Sequence, residues 1–355
     1  MSFKVYQQFE PTDIVAGRNN TVSSGFFPGG EVAFSQSRLT TSSVQTQTFG
    51  DNSNYDVLNG LYYTNVYDNS TSNPQLLFSI SYGDLYGSGS ISADALETKA
   101  VYSQYKNILL GIGDANGLFN FLTGSSTSTT YESSSRIYVL NFSSQLQKNQ
   151  IDAGQWSISL VSGSTSISII DDSCLTGKKN QNVYQVIRGT FSTSAGTTVA
   201  DASVYESLGL FYPKSGVIIL NPNALIKFFP YTSFLSSSST PTVPYSQRFF
   251  GLLQTTDTVP MRIRKSEIVP SIHYWVRVKN SDFNFSNNPT YIYQESDGEH
   301  TRGDILDSIV SNPASYVTTV GLYNDLNELV AVAKLSRPTR KDFTSEMLIR
   351  IRLDC

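Results

Sequence analysis

The sequence predicts a mainly β protein, in which antiparallel sheets form a sandwich-like arrangement with one or two packed helices. Charged residues make up only 15% of the 355 residues, whereas 21 tyrosines and 20 phenylalanines favour strands. Several segments alternate apolar and polar residues with the period of two that is typical of half-buried strands. One long segment has the three- to four-residue apolar spacing of an amphipathic helix. Together these patterns indicate a β-rich fold in which helices are secondary.

The clearest strand pattern lies at the C-terminal end. One face of this strand is predicted to be buried and the other is mostly charged; the inward set is Met347, Ile349, Ile351 and Leu353. Upstream, segments 318–323 and 328–335 flank residues 324–327, whose Asn and Asp favour a tight turn. We expect Pro338 to break the second strand, because proline cannot donate to a ladder. The pattern therefore predicts a three-stranded meander that ends on a buried strand.

The helical segment covers residues 92–110. Asp94 and Glu97 have the spacing of an acidic capping box, and Gly111 stands where a helix ends. Since its apolar residues share one face, we expect this helix to pack across a sheet.

Further strands are predicted along the middle of the chain. Residues 156–160 and 167–169 alternate on either side of Gly163, which indicates a hairpin. Residues 217–220 form a short apolar run that is typical of a strand buried on both faces. The following Asn221 and Pro222 predict a capped short helix that runs through Phe228.

Composition shifts divide the chain into three predicted domains. A Ser/Thr run at 125–130 and a Ser/Thr/Pro segment near Tyr245 mark soft boundaries. The resulting domains are 1–125, with the helix at 92–110, then 126–245, and 246–355. Residues 231–246 are poor in apolar side chains and keep Tyr231, Phe234, Leu235 and Tyr245 as anchors, so we expect a loop that is mobile in the isolated chain and becomes ordered when it docks on a neighbour; the alternative is a solvated loop that stays mobile throughout.

The candidate chemical groups are few, and none forms a constellation. The two histidines lack metal-ligand spacing; we expect His273 to be a hydrogen-bonded strand residue and His300 to lie in a polar loop. Asp171 and Asp172 are adjacent and are best explained as a solvated turn. We therefore assign no catalytic, cofactor-binding or metal residues, expect no cofactor, and predict that the chain is not an enzyme.

Two short motifs are also best explained structurally. Residues 111–117 contain glycines, but they follow a helix instead of opening one, so they lack the mechanism of a dinucleotide loop. Residues 302–304 read Arg-Gly-Asp, a tripeptide that some adhesion receptors bind, and the same residues suit a turn that enters a short helix at 304–310.

Charge and cysteine content bound the partners and the compartment. The net charge of −4 and a pI near 5.3 give no electrostatic basis for nucleic-acid binding. Cys174 and Cys355 are expected to be free thiols, with a single bond between them left open. Residues 1–8 lack the apolar core of a signal peptide, and no apolar stretch reaches ~18 residues. We expect folding in a cytoplasm and no membrane insertion.

Segments at both ends of the chain carry a resemblance to one class of protein. Residues 321–325 and 328–333, with 9–18, 276–280 and 283–289, resemble virion structural proteins of T4-like tailed phages, especially the cyanophage-type myoviruses. The resemblance implies a tail baseplate or fibre-attachment protein that assembles with other virion proteins in the host cytoplasm. Self-association remains open. The alternative is a receptor- or carbohydrate-binding module of a tail fibre, and a depolymerising enzyme comes third.

Overall fold

The computed structural model describes residues 6–17, 19–41, 62–69, 74–90, 96–111, 117–123, 130–175, 181–201, 206–235, 243–253, 261–286, 288–296 and 298–354. The chain forms two compact units, which we treat separately. The terminal unit combines Met1–Asn20 with Ile268–Cys355, and the central unit is Thr21–Glu267.

Strands dominate the described residues, which confirms the predicted fold class. The strands, in chain order, are β1 (Ile14–Ala16), β2 (Asn20–Gly25), β3 (Ala33–Phe34), β4 (Leu39–Thr40), β5 (Thr64–Asp68), β6 (Gln75–Asp84), β7 (Phe119–Thr123), β8 (Thr130–Ser134), β9 (Arg136–Phe142), β10 (Gln150–Ser162), β11 (Thr165–Asp171), β12 (Tyr184–Ser192), β13 (Thr197–Ala200), β14 (Gly209–Tyr212), β15 (Val217–Leu220), β16 (Met261–Val269), β17 (Ser271–Val278), β18 (Ala314–Tyr323), β19 (Leu329–Asp342) and β20 (Met347–Asp354).

The helices of the described residues are mostly one turn long. They are Glu97–Leu109, Ser144–Gln147, Pro222–Leu225, Tyr231–Phe234, Tyr245–Leu253 and Asp307–Ser311. The two longest of them lie in the central unit and pack on its sheet, in agreement with the prediction of one or two packed helices.

The central unit is built on a thirteen-stranded sheet. Its order is β2-β16-β10-β11-β12-β14-β15-β9-β6-β5-β4, with β13 beside β12 and β3 beside β16. Both faces of its middle strands are covered. In β15, Ile218 and Leu220 lie in the larger core, whereas Val217 and Ile219 lie in a second core on the opposite face. The prediction of a doubly buried strand is therefore confirmed.

Each face of this sheet has its own helix. On the larger core, the helix Tyr245–Leu253 places Phe249 in a stack on Tyr138, with ring centroids 4.6 Å apart. On the second core, the helix Glu97–Leu109 approaches β6 so closely that a Cβ on Gly83 would lie 2.9 Å from the backbone nitrogen of Tyr102. The expectation that this helix packs across a sheet is confirmed.

The ends of that helix differ in how well the sequence predicted them. Its C-terminal stop is confirmed, because Gly111 follows Leu110 with φ of +94°. Its start is later than predicted: the helix begins at Glu97, after Leu96 in a left-handed conformation. Asp94 of the predicted capping box lies outside the described residues.

Two other local predictions in the central unit hold. β10 and β11 form the expected hairpin around Gly163, whose φ of +59° suits a tight turn. Asn221 caps the next helix by accepting a hydrogen bond from the backbone N–H of Asn223 at 3.0 Å. This helix ends at Leu225 instead of Phe228.

The terminal unit consists of a three-stranded sheet, β1-β17-β20, and the β18–β19 hairpin. The predicted alternation of β20 is confirmed, since Ile349 and Ile351 are buried beside Leu322 of the hairpin. The predicted meander is wrong, because β20 pairs with β17 along its whole length and not with β19. This pairing places apolar residues of β17 and β20 on one face, where the inward side of the hairpin covers them.

Pro338 does not end the second strand of the hairpin. Val317 pairs with Thr339 while Thr319 pairs with Lys334, so β19 bulges around the proline and continues to Asp342. A proline is tolerated here because β19 has one unpaired edge within the described residues.

The two units divide the chain differently from the three predicted domains. Strands of the thirteen-stranded sheet come from all three predicted segments, and the terminal unit joins the two ends of the chain. The division into domains 1–125, 126–245 and 246–355 stays a prediction.

Candidate functional site: an exposed β-hairpin

The turn of the β18–β19 hairpin is organised by one asparagine. The side-chain oxygen of Asn324 accepts hydrogen bonds from the backbone N–H groups of Leu326, at 3.0 Å, and Glu328, at 2.8 Å. Its amide nitrogen donates to the Glu328 carboxylate at 2.8 Å. Asn327 closes the turn with φ of +61°, a conformation that asparagine tolerates. The predicted short-loop hairpin is therefore confirmed, and its turn is fixed by side-chain hydrogen bonds.

The two faces of the hairpin have different surroundings. The inward face packs in the core of the terminal unit through Val320, Leu322, Ala331, Ala333 and Leu335. The outward side chains are apolar as well, and much of their surface lies in solvent: Tyr323, whose ring also packs edge-on against Tyr6 with centroids 5.3 Å apart, is 46% exposed, Leu329 53%, Val330 64% and Val332 58%. We call these four residues the apolar hairpin face.

Backbone geometry explains how this face becomes continuous. Tyr323 pairs with Leu329 whereas Leu322 pairs with Ala331, so β19 carries one extra residue, Val330. Gly321 lies between Tyr323 and Leu329 on this face and leaves room for both. A Cβ at this position would lie only 3.0 Å from the Tyr323 ring and 3.1 Å from Leu329. The Tyr323 ring and the Leu329 side chain therefore lie close together over Gly321.

Charges flank the apolar hairpin face at both ends. Asp325 and Glu328 lie at the turn and are negative, whereas Lys334, Arg337 and Arg340 follow along β19 and are exposed. Arg340 lies 3.5 Å from the Asp342 carboxylate. The hairpin is thus acidic at its turn and basic towards its base.

A buried lysine fixes the base of the hairpin. The ammonium of Lys341 donates to the backbone oxygens of Asn280, at 3.0 Å, and Asp342, at 2.8 Å, and to the side-chain oxygen of Asn284 at 2.7 Å. Burial lowers the pKa of Lys341. Sequence reasoning missed this residue, because the bulge around Pro338 interrupts the alternation of β19 and Arg337, at the same spacing, is exposed.

The other face of the three-stranded sheet carries the first predicted histidine. His273 lies in β17 as predicted, but its Nδ1 is buried and has no hydrogen-bond partner within the described residues, so the expected satisfaction is not found at that atom. Nearby, the Arg350 guanidinium lies 5.8 Å from the ring centroid of Trp275. Arg277 pairs with the buried carboxylate of Asp13 at 2.7 Å.

The second histidine and the Arg-Gly-Asp tripeptide belong to one loop. His300 stacks on Tyr293, with ring centroids 4.1 Å apart, and its Nε2 lies 3.3 Å from Asp307. Gly303 takes φ of +100°, and Asp304 accepts a hydrogen bond from the backbone of Thr301 at 2.7 Å. The tripeptide forms the predicted turn, but the helix after it begins at Asp307 instead of Asp304.

The central unit contains a polar cleft of about 990 Å³, whose lining includes Gly154, Cys174, Thr198 and Lys214. The aspartate pair lies beside it, and the prediction of a solvated turn is wrong. Asp171 is fully buried and accepts hydrogen bonds from the backbones of Gly154, at 2.8 Å, and Ser173, at 3.0 Å.

These carboxylates serve different parts of the backbone. Asp172 accepts from the backbone N–H of Gln185 in β12 at 3.0 Å, whereas Asp171 accepts from Gly154 in β10 and from Ser173 in the turn after β11. Burial raises the pKa of Asp171, and its hydrogen bonds oppose this rise. Asp171 thus caps the turn at Ser173, and Asp172 connects that turn to β12.

The cysteine of this cleft is a free thiol, as predicted. Burial raises the pKa of Cys174, which disfavours its thiolate form. Cys355 lies outside the described residues, as do residues 112–116 of the glycine-containing segment.

The segment expected to dock on partners is used by the chain itself. Phe234, Leu235 and Tyr245 are buried in the larger core, and Tyr231–Phe234 is helical. The prediction that these side chains wait for a neighbour is therefore wrong; residues 236–242 lie outside the described part. This leaves the apolar hairpin face as the stronger candidate for an interface.

Within the described residues, no group of three or more His, Cys, Asp or Glu side chains is placed to hold a metal ion. The helices of that same part are all too short or too polar to cross a membrane. Comparison of the chain with known protein families, with curated proteins and with solved structures finds no match. The resemblance to tailed-phage proteins thus stays an interpretation of short motifs.

Proposed function

We propose that this chain is a structural component of a tailed-phage virion, at the tail baseplate or the fibre attachment, and that it acts through protein–protein assembly. The observation that carries the proposal is the apolar hairpin face, which is contiguous, solvent-exposed and held on a hairpin whose turn and base are both fixed by hydrogen bonds. Contiguous exposed apolar surface of this kind marks interaction sites.

The placement of the motif segments supports the same proposal. Residues 9–18, 276–280, 283–289, 321–325 and 328–333 are far apart in the sequence, yet all of them belong to the terminal unit. Motifs that gather in one folded unit are expected if that unit has one shared task. We infer that this task is attachment to neighbouring virion proteins.

Particle composition tests this role directly. Virions of the phage that encodes this chain would be purified on a density gradient, and their tails and capsids separated before mass spectrometry. We expect the chain in a fixed ratio to other tail proteins. Abundant chain in the lysate and none in purified particles would overturn the proposal.

A matched pair of variants tests the surface. Val330→Asp combined with Val332→Asp places charge on the apolar hairpin face, and we expect normal folding with loss of incorporation into particles. Leu348→Asp is the control, since Leu348 is 58% exposed on β20. Binding of the isolated chain to host cells or glycans, with normal incorporation of the double variant, would favour the receptor-binding alternative instead.

A further inference from the structure

We propose that the apolar hairpin face binds a second copy of this chain, in a twofold arrangement that sets the hairpins face to face and antiparallel. This inference rests on the proposed assembly role and names one partner for the surface. The argument for a second copy, and against an unrelated protein, is the order of charges along β19.

The charges of this segment are complementary to themselves. Glu328 and Lys334 each lie three positions from Ala331, on opposite sides of it, and the residues between them are uncharged. Both side chains are exposed. A twofold axis that passes by Ala331 and crosses the strands brings Glu328 of each copy to Lys334 of the other. Two identical ion pairs then close the two ends of one apolar contact.

The apolar residues are complementary under the same operation. Val330 and Val332 are the direct neighbours of Ala331, so the axis sets Val330 of one copy near Val332 of the other. Tyr323 and Leu329 extend the contact on both sides. Facing sheets pack about 10 Å apart with their strands nearly aligned, a spacing that such side chains fill. Residues that are more than 40% exposed in one chain would thereby be covered.

The edge of β18, which has no strand partner within the described residues, has no such charge pattern. β18 has no charged residue from Ala314 to Tyr323, so nothing in it fixes a register or selects a partner. Association through the edge of β19 is also disfavoured, because the bulges at Val330 and around Pro338 disturb the backbone that a new strand would need. The apolar hairpin face is therefore the surface whose residues favour association with a second copy.

A charge-swap cycle on the full chain tests this arrangement. Sedimentation velocity over a concentration series measures the dimer dissociation constant of the wild type, Glu328→Lys, Lys334→Glu and the double swap. Each single swap turns both symmetric attractions into repulsions, and we expect it to weaken the dimer about tenfold. The double swap restores both attractions, so its dissociation constant should return close to that of the wild type.

The double swap also separates association from folding. Loss of the Asn324–Glu328 hydrogen bond would impair Glu328→Lys and the double swap alike, whereas the proposed dimer predicts recovery only in the double swap. A wild-type chain that stays monomeric throughout the series, or a double swap no better than the single ones, overturns the dimer. The virion role fails separately, through absence of the chain from purified particles.

Discussion

The two units differ in how far they bury the apolar side chains of their strands. The central unit covers its sheet on both faces, so that large residues such as Trp156, Tyr138 and Phe211 are almost fully buried. The terminal unit covers one side of its hairpin and leaves the other side in solvent, with Val330 and Val332 more than half exposed. Exposed apolar residues also occur singly in the central unit, as at Tyr86, which is normal for a folded protein. On the hairpin, four of the described exposed apolar residues lie next to one another and form the apolar hairpin face.

Chain topology lets these two solutions coexist. The chain leaves the terminal unit after β1 and re-enters it at β17, and these strands are neighbours that pair from Ile14 to Ala16. The backbone N–H of Gly17 donates to the oxygen of Ser271 at 2.7 Å, so exit and re-entry lie side by side. This is the topology of an inserted domain, whose ends must be close. A stable insert and an interacting unit can thus share one chain.

The largest effect is expected from a charge in the small core of the terminal unit. Ile351→Asp buries a carboxylate without a partner beside Leu322 and Ile349, at a cost of about 3–5 kcal/mol. The two tryptophans report on different units, so fluorescence of Trp275 in a Trp156→Phe background follows this one. Leu348→Asp, on the exposed side of β20, should change little. Equal stability of the two variants would contradict the assignment of faces in β20.

The next effect concerns the doubly covered sheet. Ile219→Ala removes a fully buried side chain from β15 and leaves a cavity, which should destabilise the central unit by about 3 kcal/mol. Val330→Ala removes side-chain atoms from the apolar hairpin face and, at protein concentrations that keep the chain monomeric, should cost less than about 0.5 kcal/mol. Denaturant unfolding of each variant, followed by the tryptophan of its own unit, measures both. Similar losses at the two positions would remove the contrast between the units.

How much of the fold could be predicted from the sequence depends on the sequence range of the interaction that determines each feature. Periodicity and turn chemistry act locally, and they predicted the alternation of β20, the hairpin turn at Asn324 and the cap at Asn221 correctly. Strand partners are set by distant residues, and here local reasoning failed: β20 pairs with β17, at separations of 69 to 83 positions, instead of with the adjacent β19. For the same reason, Pro338 was predicted to end a strand, whereas it lies in a bulge within β19.

The sequence also failed to predict which side chains are buried. Asp171 and Asp172 looked solvated because the sequence does not show which backbone donors will meet them. Conversely, Phe234 and Tyr245 looked available to partners because the core that receives them is assembled from distant segments. The candidate surface was predicted in part: the strands of the hairpin were recognised, but the exposure of Val330 and Val332 required the packing of the opposite face.

A smaller effect is expected at the buried lysine. Lys341→Met keeps the length of the side chain but leaves the oxygens of Asn280, Asn284 and Asp342 without their donor, at a cost of about 1–3 kcal/mol to the terminal unit. Unfolding followed by Trp275 measures the loss. Arg337→Met is the matched control, because Arg337 is exposed on the same strand. No difference between the two variants would mean that Lys341 does not anchor the hairpin.

The smallest effect is a pH dependence that should have opposite signs in the two units. Hydrogen bonds from the Thr344 hydroxyl, at 2.7 Å, and from the Ser345 hydroxyl and the Thr344 backbone lower the pKa of Asp342 to about 2. Because the folded pKa lies below the ordinary value of 3.8, this stabilisation is present above 3.8 and is lost as the pH falls towards 2. Burial raises the pKa of Asp171, because the buried carboxylate is less favourable when it is charged. As the pH falls from that raised value towards 3.8, the folded state takes up the proton first, and the stability of the central unit increases.

Comparison of wild type with Asp342→Asn and with Asp171→Asn isolates these contributions from general acid unfolding. With falling pH, the stability advantage of wild type over Asp342→Asn should shrink when Trp275 is followed. When Trp156 is followed, wild type should gain relative to Asp171→Asn. A carboxyl titration of Asp342 by NMR supplies an independent check, with an expected midpoint of about 2 that rises in Thr344→Ala. The same sign in both units would show that at least one of these carboxylates is not held by the contacts that the structure gives it.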